Sequence, residues 1–240
     1  MQLLFDLDGT LFQTKPVLLR TAQLLFRALG TSVPDDGTIL NSAGKSTPDF
    51  LRDLLPSDAE FTRALALYPK TLNTAIADCG ELFPGTREML SALHDEGHPL
   101  VICSKSSVEY IDLVLKRTGI AGLFAARYSS GEHPSKAALF CEIAAPREAV
   151  VIGDTFPDIA AALENRIASI AAMYGYGNPQ KLLGATVTAD SPTDIYACVR
   201  RLCEYAERAK RLSPPEQLPE TEKPHEFLRY LEHVGFYAEN

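Results

Sequence analysis

Leu3-Leu4-Phe5-Asp6-Leu7-Asp8-Gly9-Thr10-Leu11 opens the chain with a short apolar run, two carboxylates one residue apart and an Asp-Gly turn signal. The run reads as a buried strand of a parallel sheet, where both faces are covered and no polar alternation is needed. Acids at the end of such a strand lie at the carboxyl edge of the sheet, where open α/β folds bind ligands. Two carboxylates this close repel unless a cation lies between them or one keeps its proton. Oxygen-only ligands favour a hard ion, and Mg2+ is the expectation. Taken alone, the stretch equally fits a turn whose exposed acids merely end a strand.

Beyond Leu11 the apolar spacing becomes helical. Leu18, Ala22, Leu25 and Leu29 recur on one face, with Gly30 as the stop. Residues 41–46 read as a loop. Thr47-Pro48-Asp49 reads as an N-cap, a first-turn proline and a first-turn acid, opening a helix through Leu55. Ser57 and Glu60 have capping-box spacing and open a further helix to about Ala77, across Pro69. The expectation is an all-helical insert over residues 13–82.

From Phe83 strands and helices alternate. Thr86 is expected to cap a helix with Met89, Leu90 and Leu93. Leu100-Val101-Ile102-Cys103 is a compact strand, followed by a helix with Tyr110, Ile111, Val114 and Leu115 on its apolar face. Strands are expected at 125–128, 149–152, 167–173 and 185–188. Ser135 caps one helix, Pro157 opens another, and a last core helix spans 193–212 with Ile195, Val199, Leu202 and Tyr205 on one face. Such alternation implies a parallel sheet with crossover helices. The fold class is therefore α/β: a Rossmann-like parallel core from residues 1–12 and 83–212, with the helical cap inserted. Residues 213–224 read as a Pro- and Glu-rich linker, and 226–233 as a last short helix.

Composition narrows the function classes. The 240 residues are 46% hydrophobic and 22% charged, an ordinary globular balance. A net charge of −8 without a dense basic run argues against nucleic acid as a partner. No apolar run reaches membrane-spanning length and no targeting segment is recognised, so a cytoplasmic protein without a membrane partner is expected. Five scattered cysteines without a CxxC pair read as reduced and mostly buried. Oligomeric state stays open.

Four strand ends carry polar signals: Asp6 with Asp8, Ser104 with Lys105, the helix start at Lys136, and Asp154 with Asp158. A parallel sheet brings such ends to one edge. Ser104 alone also fits an ordinary helix-opening serine. Lys136 opposes the dipole of the helix it begins, which a nearby anion would explain, although a solvated lysine fits too. Asp158 fits a dipole-favoured first-turn acid, whereas Asp154 at the sheet edge is harder to read as structural.

Together these residues resemble the haloacid dehalogenase-type phosphatase superfamily. Asp6-Leu7-Asp8-Gly9-Thr10 is similar to its first motif. Ser104, Lys136 and Gly153-Asp154-Thr155-Phe156-Pro157-Asp158 are similar to the second, third and fourth, in order and spacing. The helical insert and Phe83-Pro84-Gly85 resemble the subgroup containing phosphoglycolate phosphatases, as do Tyr174-Gly175-Tyr176-Gly177 and Ala189-Asp190-Ser191-Pro192. One departure is Ser135-Lys136-Ala137, which lacks the Lys-Pro pair often found in the third motif.

The resemblance implies hydrolysis of a small phosphate monoester, phosphoglycolate-like or a nucleoside monophosphate. Asp6 would be the nucleophile and Asp8 the acid/base. Ser104 and Lys136 would hold the phosphoryl oxygens, with Gly9, Lys105 and Lys45 as further substrate contacts. Asp6, the Asp8 carbonyl, Asp154 and Asp158 would hold Mg2+. The cap would close over the site and choose the substrate. A phosphosugar mutase and a non-catalytic interaction protein on the same fold are the alternatives.

Overall fold

The computed structural model describes residues 1–144 and 148–212. The expected linker and the short helix at 226–233 lie outside the described residues. The chain divides into two compact units. One comprises Met1–Leu11, Phe83–Ile111 and the described residues from Ile120 onward; the other comprises Phe12–Leu82 and Asp112–Gly119.

In chain order the elements are β1 (Gln2–Phe5), α1 (Thr14–Leu29), α2 (Asp36–Asn41), α3 (Thr47–Leu54), α4 (Asp58–Cys79), α5 (Thr86–Asp95), β2 (Leu100–Ser104), α6 (Val108–Thr118), β3 (Ala126–Ser129), α7 (Lys136–Ile143), β4 (Ala149–Gly153), α8 (Phe156–Glu164), β5 (Ala168–Ala172), β6 (Val187–Ala189) and α9 (Pro192–Leu212).

Among the described residues six strands form one parallel sheet in the order β3-β2-β1-β4-β5-β6, the Rossmann-like α/β core. β1 lies between β2 and β4, with Leu3 opposite both Leu100 and Val150. Every residue of β2 and β4 is buried, which explains why these strands read as unbroken apolar runs. Leu4, Val101, Cys103, Leu139, Phe140, Val151, Ala161 and Ile167 form part of the core on this sheet. Each large side chain buried there contributes about 1.5–3 kcal/mol.

The helical unit has its own core. Ala22, Leu25, Phe26 and Leu29 of α1 pack with Ile39, Phe50, Leu51 and Ala64. Gly30 ends α1 in the left-handed region at φ 79°, its N–H donating to the carbonyls of Phe26 and Arg27. α4 runs through Pro69 to Cys79.

Local readings change in several places. The cap of α3 is Ser46, not Thr47: its hydroxyl accepts from the Asp49 amide one residue before the helix begins. Ser57 precedes α4 without a capping hydrogen bond. Gly85, in the left-handed region, precedes α5, and Thr86 is already its first, buried residue. α2 was unexpected, because its six residues show no apolar periodicity and bury only Ile39. The strand expected at 185–188 lies slightly later, as β6. Of the five free cysteines only Cys103 is buried and Cys141 is exposed, so the expectation of mostly buried thiols fails.

Candidate active site

The sheet ladder carries one residue beyond β1. The Asp6 N–H donates to the Ile152 carbonyl at 2.8 Å, which fixes Asp6 beside the end of β4. The chain then turns, with the Leu11 amide donating to the Leu7 carbonyl at 3.0 Å and Gly9 at φ 86°. At the end of β4 stands Asp154. Asp158 follows on the first turn of α8, folded back so that Oδ2 accepts from the Thr155 amide at 3.0 Å and hydroxyl at 2.5 Å. Carboxylate oxygens of Asp6, Asp154 and Asp158 come within 4.8 Å of one another, all three residues buried.

Lys136, the first residue of α7, reaches into this group. Its Nζ donates to Asp6 Oδ1 at 2.8 Å and to Asp158 Oδ1. Ser135 caps α7 by accepting from the Ala138 amide at 3.1 Å, holding the helix start in place. The unfavourable position of a lysine at a helix N-terminus is thus offset by two carboxylates.

Three carboxylates face one ammonium, and the proton affinities record the imbalance. Burial, countered only in part by Lys136, pushes Asp6 well above the ordinary carboxylate range. Burial raises Asp154 to about 6 against the hydrogen bond from the Tyr176 amide. Burial opposes the charge on Lys136, but Asp158 and Asp6 outweigh it and hold the ammonium protonated more firmly than an ordinary lysine. Burial likewise pushes the Cys103 thiol up to about 12, leaving it an inert core residue.

Asp154 is gripped from several sides. Thr10 Oγ1 donates to Oδ1 at 3.0 Å and the Tyr176 amide to Oδ2 at 2.7 Å. Tyr174 bonds back to the Thr10 carbonyl at 2.7 Å, and Phe83 packs its ring on Tyr174 and Tyr176. A Cβ on Gly9 or Gly175 would collide with the Asp154 carboxylate.

Asp8, two residues from Asp6, has other partners. Tyr110 donates its hydroxyl to Oδ1 at 2.7 Å and Ser106 donates to Oδ2 at 2.8 Å. Its carboxylate is not in the buried acidic group. Ser104, buried at the end of β2, accepts the Ser106 amide at 3.2 Å. Lys105 is exposed. Lys45 belongs to the helical unit, where it pairs with Asp53 at 2.5 Å.

Sequence reasoning missed Thr10, Thr155, Tyr176, Ser106 and Tyr110. Tyr110 in particular falls at apolar spacing on α6, yet its hydroxyl donates to Asp8. Among the described residues no helix is long and apolar enough to cross a membrane.

The donor set fits a hard divalent cation: it is all oxygen, tightly grouped, and more negative than Lys136 alone can balance. Residues 3–172 match the family model described as haloacid dehalogenase-like hydrolase, and the chain belongs to that family. A protein from Cupriavidus necator named phosphoglycolate phosphatase, plasmid, is 27% identical over 203 residues, covering 78% of this chain and 88% of that one. A 5'-nucleotidase from Pseudomonas aeruginosa is 26% identical over 192 residues, covering 75% of this chain and 86% of that one. A haloacid dehalogenase-like family hydrolase from Streptococcus pneumoniae shares 28% identity at a TM-score of 0.69, covering 82% of this chain and 97% of that structure.

Proposed function

We propose that this protein is a Mg2+-dependent phosphatase that hydrolyses a small phosphate monoester through an aspartyl-phosphate on Asp6. The observation that carries the reading is the convergence of Asp6, Asp154, Asp158 and Lys136 at one sheet edge, with Asp8 held separately two residues from Asp6. A carboxylate nucleophile and a second, independently held carboxyl group divide the work of attack and proton transfer.

Asp6, the backbone carbonyl of Asp8, and Asp154 would hold Mg2+, with Asp158 supporting the site. The bound ion supplies positive charge against the phosphoryl oxygens. Asp6 attacks phosphorus as the bond to the leaving oxygen breaks, and Asp8 gives that oxygen its proton. Water then attacks the phosphorus of the intermediate, surrendering a proton to Asp8 and releasing Asp6. Ser104 and Lys136 hold the transferring oxygens, and Lys136 also offsets charge on Asp6. Gly9 leaves space for the Asp154 carboxylate, and Lys105, exposed and next to Ser104, would be a further contact for the substrate anion.

The names of the relatives support phosphoglycolate or a nucleoside monophosphate as the substrate class. The test is phosphate release from a panel of small esters with Mg2+ and with EDTA. Metal-dependent release that vanishes in Asp6→Asn is expected. Wild-type release by that variant would remove Asp6 as nucleophile, and a requirement for a sugar bisphosphate would point to a mutase.

A further inference from the structure

Two hydroxyls bind the Asp8 carboxylate, one on each oxygen, and both come from a single short segment. Ser106 lies two residues beyond β2. Tyr110 follows on the first turn of α6, its amide donating to the Ser107 hydroxyl at 3.4 Å. The segment is tied at its other end to Ser104, whose hydroxyl accepts the Ser106 amide. It thus touches both a candidate phosphoryl contact and the candidate acid/base.

We propose that Tyr110 and Ser106 are the positioning residues for Asp8, holding its carboxyl group in the orientation that delivers a proton to the leaving oxygen and takes one from water. The inference rests on the phosphatase reading and adds to it the residues that aim its proton-transfer group. A free aspartate explores several rotamers, whereas a hydrogen bond on each oxygen selects one. A hydroxyl donates to a carboxylate and, by rotating, accepts from a protonated carboxyl group, so both contacts suit either protonation state of Asp8. The positioning therefore persists through both halves of the reaction.

A brace between two loops would have the same hydrogen bonds, so the test uses the leaving group. An alkoxide needs its proton in the transition state, but p-nitrophenolate departs as a stable anion. Initial rates at limiting substrate report the first, proton-donating half. In Tyr110→Phe, kcat/KM for an alkyl phosphate is expected to fall about tenfold, and with Ser106→Ala added about a hundredfold, against less than about threefold for p-nitrophenyl phosphate. In an Asp8→Asn background Tyr110→Phe adds no further loss, since the group it aims is gone. Calorimetric Mg2+ binding stays as in the wild type, and circular dichroism shows the fold retained.

Equal losses on both esters, or none, would overturn the positioning role. Should Tyr110→Phe fold poorly, Ser106→Ala alone carries the same comparison. A wild-type protein that hydrolyses neither ester defeats the phosphatase reading and this inference with it. A wild type that turns over while both variants match it defeats the inference alone.

Discussion

In the helical unit, Arg20–Asp78, Lys45–Asp53 and Arg52–Asp58 all pair at the surface, where every side chain is at least 36% exposed. In the α/β unit, Lys136 pairs with Asp6 and Asp158 in the interior, where Asp158 has no exposed side-chain surface. Surface pairs of the first kind are screened by water and salt and are worth at most about 1 kcal/mol each. Buried charges cost several kcal/mol to desolvate, and well-packed apolar residues would often serve stability equally well. The first set is the ordinary dress of a solvent-exposed helical surface. The second stands against its own cost, as the proposed chemistry would require, and four experiments sharpen or break that contrast.

The largest effect is expected at Asp6. Asp6→Asn should cut phosphate release on the order of 10³-fold or more with the fold retained, read by release assay and circular dichroism. Next comes Lys136→Met, which strands two buried carboxylates. Urea unfolding without metal should show a loss of about 3–5 kcal/mol; a loss as small as that of a surface pair would erase the contrast.

Third is pH. Asp154 has its folded proton affinity raised to about 6 from the ordinary 3.8. The metal-free folded chain therefore binds a proton that the unfolded chain releases. This contribution is fullest below about pH 4 and is lost as pH rises through 6, by up to about 3 kcal/mol. Thermal melts in EDTA should reveal the decline. Added Mg2+ should reverse it, because a metal ligand must be deprotonated. The smallest effect is expected for Asp78→Asn, under about 1 kcal/mol and shrinking with salt.

The sheet was legible because a parallel sheet covered on both faces leaves its apolar runs uninterrupted, as in Leu100–Cys103 and Ala149–Gly153. Polar residues just past those runs then stand out, which is how Asp6, Ser104 and Asp154 could be noticed. Lys136 was noticed because it defies the helix dipole. The supporting groups were hidden for a physical reason. Tyr110 sits at apolar spacing on α6, and only the fold shows that its hydroxyl meets an aspartate 102 residues earlier. Thr10 meets Asp154 across 144 residues and Tyr176 does so through its backbone amide, which leaves no mark on residue identity. The Ser46 cap was misplaced by one residue because Ser46 and Thr47 are both capping types, and geometry alone separates them.

The grip on Asp154 joins the turn after β1 to the loop after β5, with Tyr174 and Thr10 bonded across 164 residues. A chain growing from its N-terminus carries its acids early but lacks that grip until the loop at 174–177 has been made. A nascent or truncated chain ending before it has the carboxylates without their clamp. The turn after the first strand and the loop after the fifth are thus set together, and the Asp154 side chain takes its final hold only when both are in place.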